Sequence, residues 1–287
     1  MDNQHLSRLI VLFLCGIVMS SAPLFGQWET LAFPGAGTPF PDINDVAFFD
    51  EQQGVGVGKG GVIVRTENGG ESWTVIPSPV SIQDLSSVRV IEGATAIAVG
   101  HANTLPTPCG SNSQAGVVLL SQDGGRSWTN ILTTNYHLLD FHFPTAETGY
   151  IAADCGRVLK STDGGHNWAY VTDTGTDAVG QSIYFVDAQT GFVSLRAGVA
   201  GVTGLFKTED GGDSWTDIAP SGYTTQYGHA IFVDSQRGYF TAEGDLLETT
   251  DGGLNWNLLI DNAVSARLFR SPNGDWYHSS ATIPNLP

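Results

Sequence analysis

The sequence predicts an all-β fold, a single β-propeller of four-stranded antiparallel blades, six of them with seven as the alternative. Three observations point there. An eight-residue phrase occurs five times, at 66–73, 121–128, 161–168, 208–215 and 249–256: Ser or Thr, any residue, Asp, Gly, Gly, any residue, Ser or Asn, Trp. Its tryptophans (Trp73, Trp128, Trp168, Trp215, Trp256) stand 55, 40, 47 and 41 residues apart, the period of one supersecondary unit that buries its faces only by stacking on copies of itself. Ahead of each phrase runs a second frame, apolar-x-apolar with Gly or a small residue six positions on, as in Val46-Ala47-Phe48 with Gly54 or Phe141-His142-Phe143 with Gly149. The 36 glycines and only 14% charged residues suit many turns and many short strands.

At the N-terminus, Arg8 precedes the apolar run Leu9 to Val18, and small residues follow at Ser20, Ser21, Ala22 and Gly26. Residues 1–26 therefore read as an export signal, and the run is too short for a stable membrane anchor. The mature chain, 27–287, is expected in the periplasm, at the cell surface or in the medium. Leu12 stands where a lipoprotein signal at Cys15 would need a small residue. Trp28 resembles the strand that follows a box, so a lone outer strand here would complete the last blade and remove a sheet edge.

Each unit then supplies four strands: the apolar frame, an alternating run such as Gly149 to Ala153, a third run such as Arg157 to Ser161, and the Trp strand. Further frames are Ile183-Tyr184-Phe185 with Gly191 and Ala230-Ile231-Phe232 with Gly238; Val88-Arg89-Val90 and Ala266-Arg267-Leu268 are weaker copies. After Trp256 no sixth box follows. Two units carry insertions between their second and third strands, His101 to Ala115 and Gly198 to Thr203, on the face opposite the boxes. Cys109 lies in the first of these and Cys155 at the equivalent turn of the next blade, so the two are expected to form a disulfide on one face.

The phrase is a hairpin tip. Asp-Gly and Gly-Gly supply the positive dihedrals of a tight turn, and the side chain at the third position (Asn68, Asp123, Asp163, Asp210, Asp251) bonds the turn's own amides, which makes each copy a structural clip rather than a calcium or sugar site. These residues resemble the Asp-box, or BNR repeat, of sialidases, sortilin-type receptors and secreted glycosidases. The wider frame is most similar to propellers related to photosystem II stability and assembly factors. That resemblance covers nearly all of the mature chain. It implies a propeller, pulls towards seven blades, and implies a protein-binding or assembly role.

The net charge of -17, with three lysines, disfavours nucleic acid and anionic membrane surfaces as partners, and does not supply the basic patch associated with the photosynthetic relatives. The innermost strands bring Asp45, Arg89, Asp140, His142, Tyr184, His229 and Arg267 towards the axis, a candidate ligand site at the channel mouth. Tyr136, Tyr223 and Tyr227 in the blade connections could stack on a sugar or grip a peptide. Catalysis has less behind it. The sialidase-type Arg-Ile-Pro signature is missing, Asp45 and Asp140 could in principle form a glycosidase pair, and propeller glycosidases with paired aspartates generally build their cleft with a second propeller. The histidines are scattered and neither mature cysteine sits in a CxxC pair, so no metal and no cofactor is expected. The reading is an exported non-enzymatic scaffold for a protein partner, with a glycan-binding or glycan-hydrolysing propeller as the alternative.

Overall fold

The computed structural model describes residues 42–81, 84–101, 116–173, 179–196, 204–223, 227–261, 268–270 and 276–278. The export signal, the Trp28 strand, Cys109 with residues 102–115 and 198–203 of the two insertions, and Arg267 lie outside the described residues, as do the side chains of His229 and Tyr227.

The described residues are all strand and turn, arranged as a β-propeller. The first blade is β1 (Ile43–Phe48), β2 (Gly54–Gly58), β3 (Ile63–Thr66) and β4 (Thr74–Ile76); the second is β5 (Asp84–Glu92), β6 (Thr95–His101), β7 (Gly116–Ser121) and β8 (Thr129–Thr134). β9 (Leu138–His142), β10 (Gly149–Ala153), β11 (Arg157–Ser161) and β12 (Ala169–Asp173) form the third, and β13 (Val179–Phe185), β14 (Gly191–Arg196), β15 (Gly204–Thr208) and β16 (Thr216–Asp217) the fourth. The fifth is β17 (Tyr227–Phe232), β18 (Gly238–Ala242), β19 (Asp245–Thr249) and β20 (Asn257–Ile260). Every blade is antiparallel with its strands in sequence order, and the first strands of successive blades are neighbours. A two-stranded sheet, β21 (Leu268–Arg270) and β22 (Trp276–His278), follows beside β17.

The apolar frame has a direct cause. A Cβ on Gly54, Gly149, Gly191 or Gly238 would come 2.7, 2.4, 2.4 and 2.4 Å from the ring of Phe48, Phe143, Phe185 and Phe232 respectively, so the last aromatic of each triad lies over the glycine that opens the next strand. In the second blade Val90 faces Ala96, and a Cβ is tolerated. The last hairpin departs from the expected register: Arg270 pairs with Trp276, which moves the turn two residues along from the Leu268 and Gly274 frame, so that Phe269 takes the middle position the sequence gives to Arg267.

Blades pack face to face. Val55, Val57, Leu85, Val88 and Ala98 join the first two in one apolar cluster, and equivalent clusters fill the next three seams. Each box Trp from the second blade onward enters the seam with the blade before it, as Trp128 does beside Val55 and Val57.

Candidate channel site

At the box end, the third-position side chain is consumed by its own turn. Asp163 Oδ1 accepts from Ser161 Oγ (2.8 Å) and the Asn167 amide (2.9 Å), and Oδ2 from Asn167 Nδ2 (2.7 Å). Asp123, Asp210 and Asp251 repeat the pattern, and Asn68 reproduces it with Ser72 donating its amide to Oδ1. Side-chain donation, then amide donation, from Asn167 pulls Asp163 down to about 2, and Ser214 does the same for Asp210. The first box glycine also donates its amide to the turn between the blade's first two strands, as Gly164 does to Glu147 O at 2.9 Å. With its carboxylate spent this way, the box is a clip.

At the inner strands, the residue before each triad spends its acceptor on the first triad amide of the next blade. Asp45 Oδ2 accepts from Val88 N at 3.0 Å, Asp140 Oδ2 from Ile183 N at 3.2 Å, and Ser182 Oγ lies 3.5 Å from Ala230 N. The second-to-third seam is bridged differently. Ser87 Oγ donates to Asp45 (2.8 Å), and Arg89 spans the gap, bonded to Asp45 on one side, with Nη2 3.7 Å from Asp140 Oδ1 and its guanidinium 5.8 Å from the Phe141 ring centroid. The Arg89 side chain is 39% exposed although enclosed by inner strands. Burial opposes its charge, but Asp45 and Asp140 outweigh burial and raise its pKa.

His142, at the middle of the third triad, packs tilted against the Tyr184 ring (centroids 4.6 Å apart) and accepts a hydrogen bond from the Phe185 amide at Nδ1 (3.3 Å). That bond fixes the neutral tautomer with its proton on Nε2. Burial, reinforced by the Arg89 charge, lowers His142 to about 4. The structure thus joins Asp45, Arg89 and Asp140 in one ion-paired group and His142 with Tyr184 in a second, which the Arg89 charge influences. His229 contributes its backbone to β17.

Of the connection tyrosines, Tyr136 is covered by the Arg157 guanidinium 4.0 Å from its centroid, and Tyr223 donates to Asp245 at 2.8 Å. One constellation escaped the sequence reading. The His101 ring packs tilted by 36° against that of His137 (centroids 4.5 Å apart), whose Nδ1 lies 3.2 Å from Asp154 Oδ2. These residues are far apart in sequence and belong to no repeated phrase; only the insertion after His101 and the neighbouring Cys155 marked the region. Cys155 is disulfide-bonded and adopts φ 67°. No group of three or more His, Cys, Asp or Glu among the described residues could hold a metal, and no described helix is long and apolar enough to cross a membrane.

Comparison with known proteins places this architecture. No curated protein matches the chain by sequence. Among solved structures, a GH74 xyloglucanase from Xanthomonas campestris superposes with a TM-score of 0.59 at 14% identity, over 76% of this chain and 38% of the xyloglucanase. The chain therefore spans well under half of that enzyme, and the likeness is one of fold. YCF48 bound to D1 peptide (TM-score 0.42, 17% identity, 87% of this chain and 91% of that one) and YCF48 from Cyanidioschyzon merolae (0.40, 18%, 80% and 89%) superpose more loosely. The sequence model for photosynthesis system II assembly factor YCF48 matches residues 126–282, more than half of the chain, and the protein accordingly belongs to that family.

Proposed function

We propose that this protein is an exported, non-enzymatic propeller that binds a protein partner at the channel mouth and serves as an assembly scaffold. The observation that carries the reading is the use made of the two channel carboxylates. A glycosidase needs one carboxyl free to give a proton and another free to attack or to activate water. Asp45 instead accepts from Arg89 and from the Val88 amide, and Asp140 accepts from the Ile183 amide and is ion-paired with Arg89. Family membership supports the same reading, because the family is described as an assembly factor.

The partner differs in charge preference from one that needs a basic patch. Lys59, Arg65, Arg89, Arg126, Lys207 and Arg237 are all ion-paired within the chain, and Lys160 donates to Gly211 O. With a net charge of -17 the chain's excess charge is carboxylate, which favours a neutral or basic partner surface.

Affinity capture from the native envelope or medium, run beside a glycan array, tests this. A protein should be retained by the wild type and weakened by His142→Gln and Tyr184→Phe at unchanged melting temperature. Retention of glycans with no protein captured would replace the scaffold reading with the glycan one.

A further inference from the structure

We propose that the seam between the second and third blades, on the face away from the boxes, is an acid-sensitive latch: an uncharged His101 packed against His137 holds it shut, and a proton on His101 loosens it. His101 ends β6 and pairs across the hairpin with Asp84 of β5. His137, in the connection between β8 and β9, meets three elements at once. Its ring faces His101, its Nδ1 faces Asp154, and its carbonyl accepts the Asp154 amide at 3.1 Å. His137 and Asp154 are 6% and 9% exposed, so the latch is an interior contact rather than a surface pair.

The charged and polar groups facing His101 are Asp84 and Ser86 from β5 (Ser86 Oγ 3.4 Å from Nδ1), His137 from the connection, and Asp154 from the turn between β10 and β11. Lys59, bridged to Asp84 through the backbone, directs its ammonium to Asp42 at 2.6 Å. A proton on His101 must therefore be carried in a largely buried site, against a second imidazole whose other side is held by Asp154 at 3.2 Å. Asp84 and Asp154 offset part of this, yet burial and His137 win and the His101 pKa is lowered. A histidine depressed in the folded state contributes stability above its ordinary value of about 6.5 and loses it as pH falls below. The box face has no such weakness, since Asp123 and Asp163 are held below the usual carboxylate range and keep their charge in mild acid. Acid should open one end of the seam and leave the other closed.

Amide exchange in the full chain, corrected for intrinsic rates, tests the latch. Between about pH 7 and about pH 5 the protection of the Asp154 amide should fall roughly tenfold or more. The Gly124 amide, which donates to Ala94 O at the box face, should keep its protection. His101→Phe retains a stacking ring without a proton site, and there Asp154 should be as protected at about pH 5 as at about pH 7. Unchanged Asp154 protection in the wild type, or an equal loss in His101→Phe, overturns the proposal. Should His101→Phe fail to fold, titrating the His101 ring by NMR in the wild type decides: a value at or above about 6.5 overturns the latch, and a lower one upholds it.

Discussion

Arg65 Nε donates a 2.6 Å hydrogen bond to the carbonyl of Gly124, across the seam between the first and second blades. The same guanidinium, 6% exposed, also holds Glu67 and Gln53. Lys160 repeats the device two seams further on, between the third and fourth blades, bonding Gly211 O at 3.0 Å. Arg65→Met would leave that carbonyl without its donor, so chemical denaturation should show a loss of about 2 to 3 kcal/mol. Arg65→Lys, which keeps a charge but loses the fork, should lose about half of that.

Asp163→Ala removes the acceptor for three bonds of one box and should cost about 1 to 2 kcal/mol by analogy with lost caps and turn bonds. Because the folded-state value lies at about 2, below the ordinary carboxylate value, the box's contribution is present above roughly pH 4 and lost as pH falls through 2. Melting curves of wild type and variant should converge at the acid end; a constant gap would show that the carboxylate's charge is not what the turn uses.

Gly191→Ala places a methyl 2.4 Å from the Phe185 ring and should destabilise by about 1 to 3 kcal/mol. Phe185→Leu in the same chain should recover part of the loss, since the second blade packs Val90 over Ala96 without conflict. A double-mutant cycle with no coupling would separate the two positions.

His142 titrates at about 4, so stability should be full above roughly pH 6.5 and fall as pH drops towards 4, by at most about 3 kcal/mol before solvent screening. His142→Phe keeps the stack on Tyr184 and should flatten this part of the pH profile. An unchanged slope would assign the acid sensitivity to another group.

Cys155 is disulfide-bonded, and the chain's other cysteines are Cys15 and Cys109. Non-reducing peptide mapping should recover Cys155 joined to Cys109. A Cys155 peptide joined to Cys15, or found as a free thiol in exported protein, would reject the pairing.

The repeated phrase and the apolar frame were legible because their causes are local. A turn with positive dihedrals needs glycine, an alternating strand needs alternating residues, and both recur wherever a blade recurs; β10 and β11 begin and end where the pattern places them. Whereas the last hairpin puts Phe269 at the position the sequence assigns to Arg267, Asp45, Arg89, Asp140, His142 and Tyr184 were legible as positions along their inner strands. Their employment was not, because it depends on the neighbouring blade. Nothing in the string around Asp45 or Asp140 says that the carboxylate reaches an amide more than forty residues away, or that Arg89 replaces that bond in the seam between them. His101, His137 and Asp154 had no pattern to betray them, being single residues on three elements. The sequence determined the blade, whose forces act within one hairpin or turn; the tertiary structure decided what the polar residues do, because their partners are supplied by the next blade and by the burial that stacking creates.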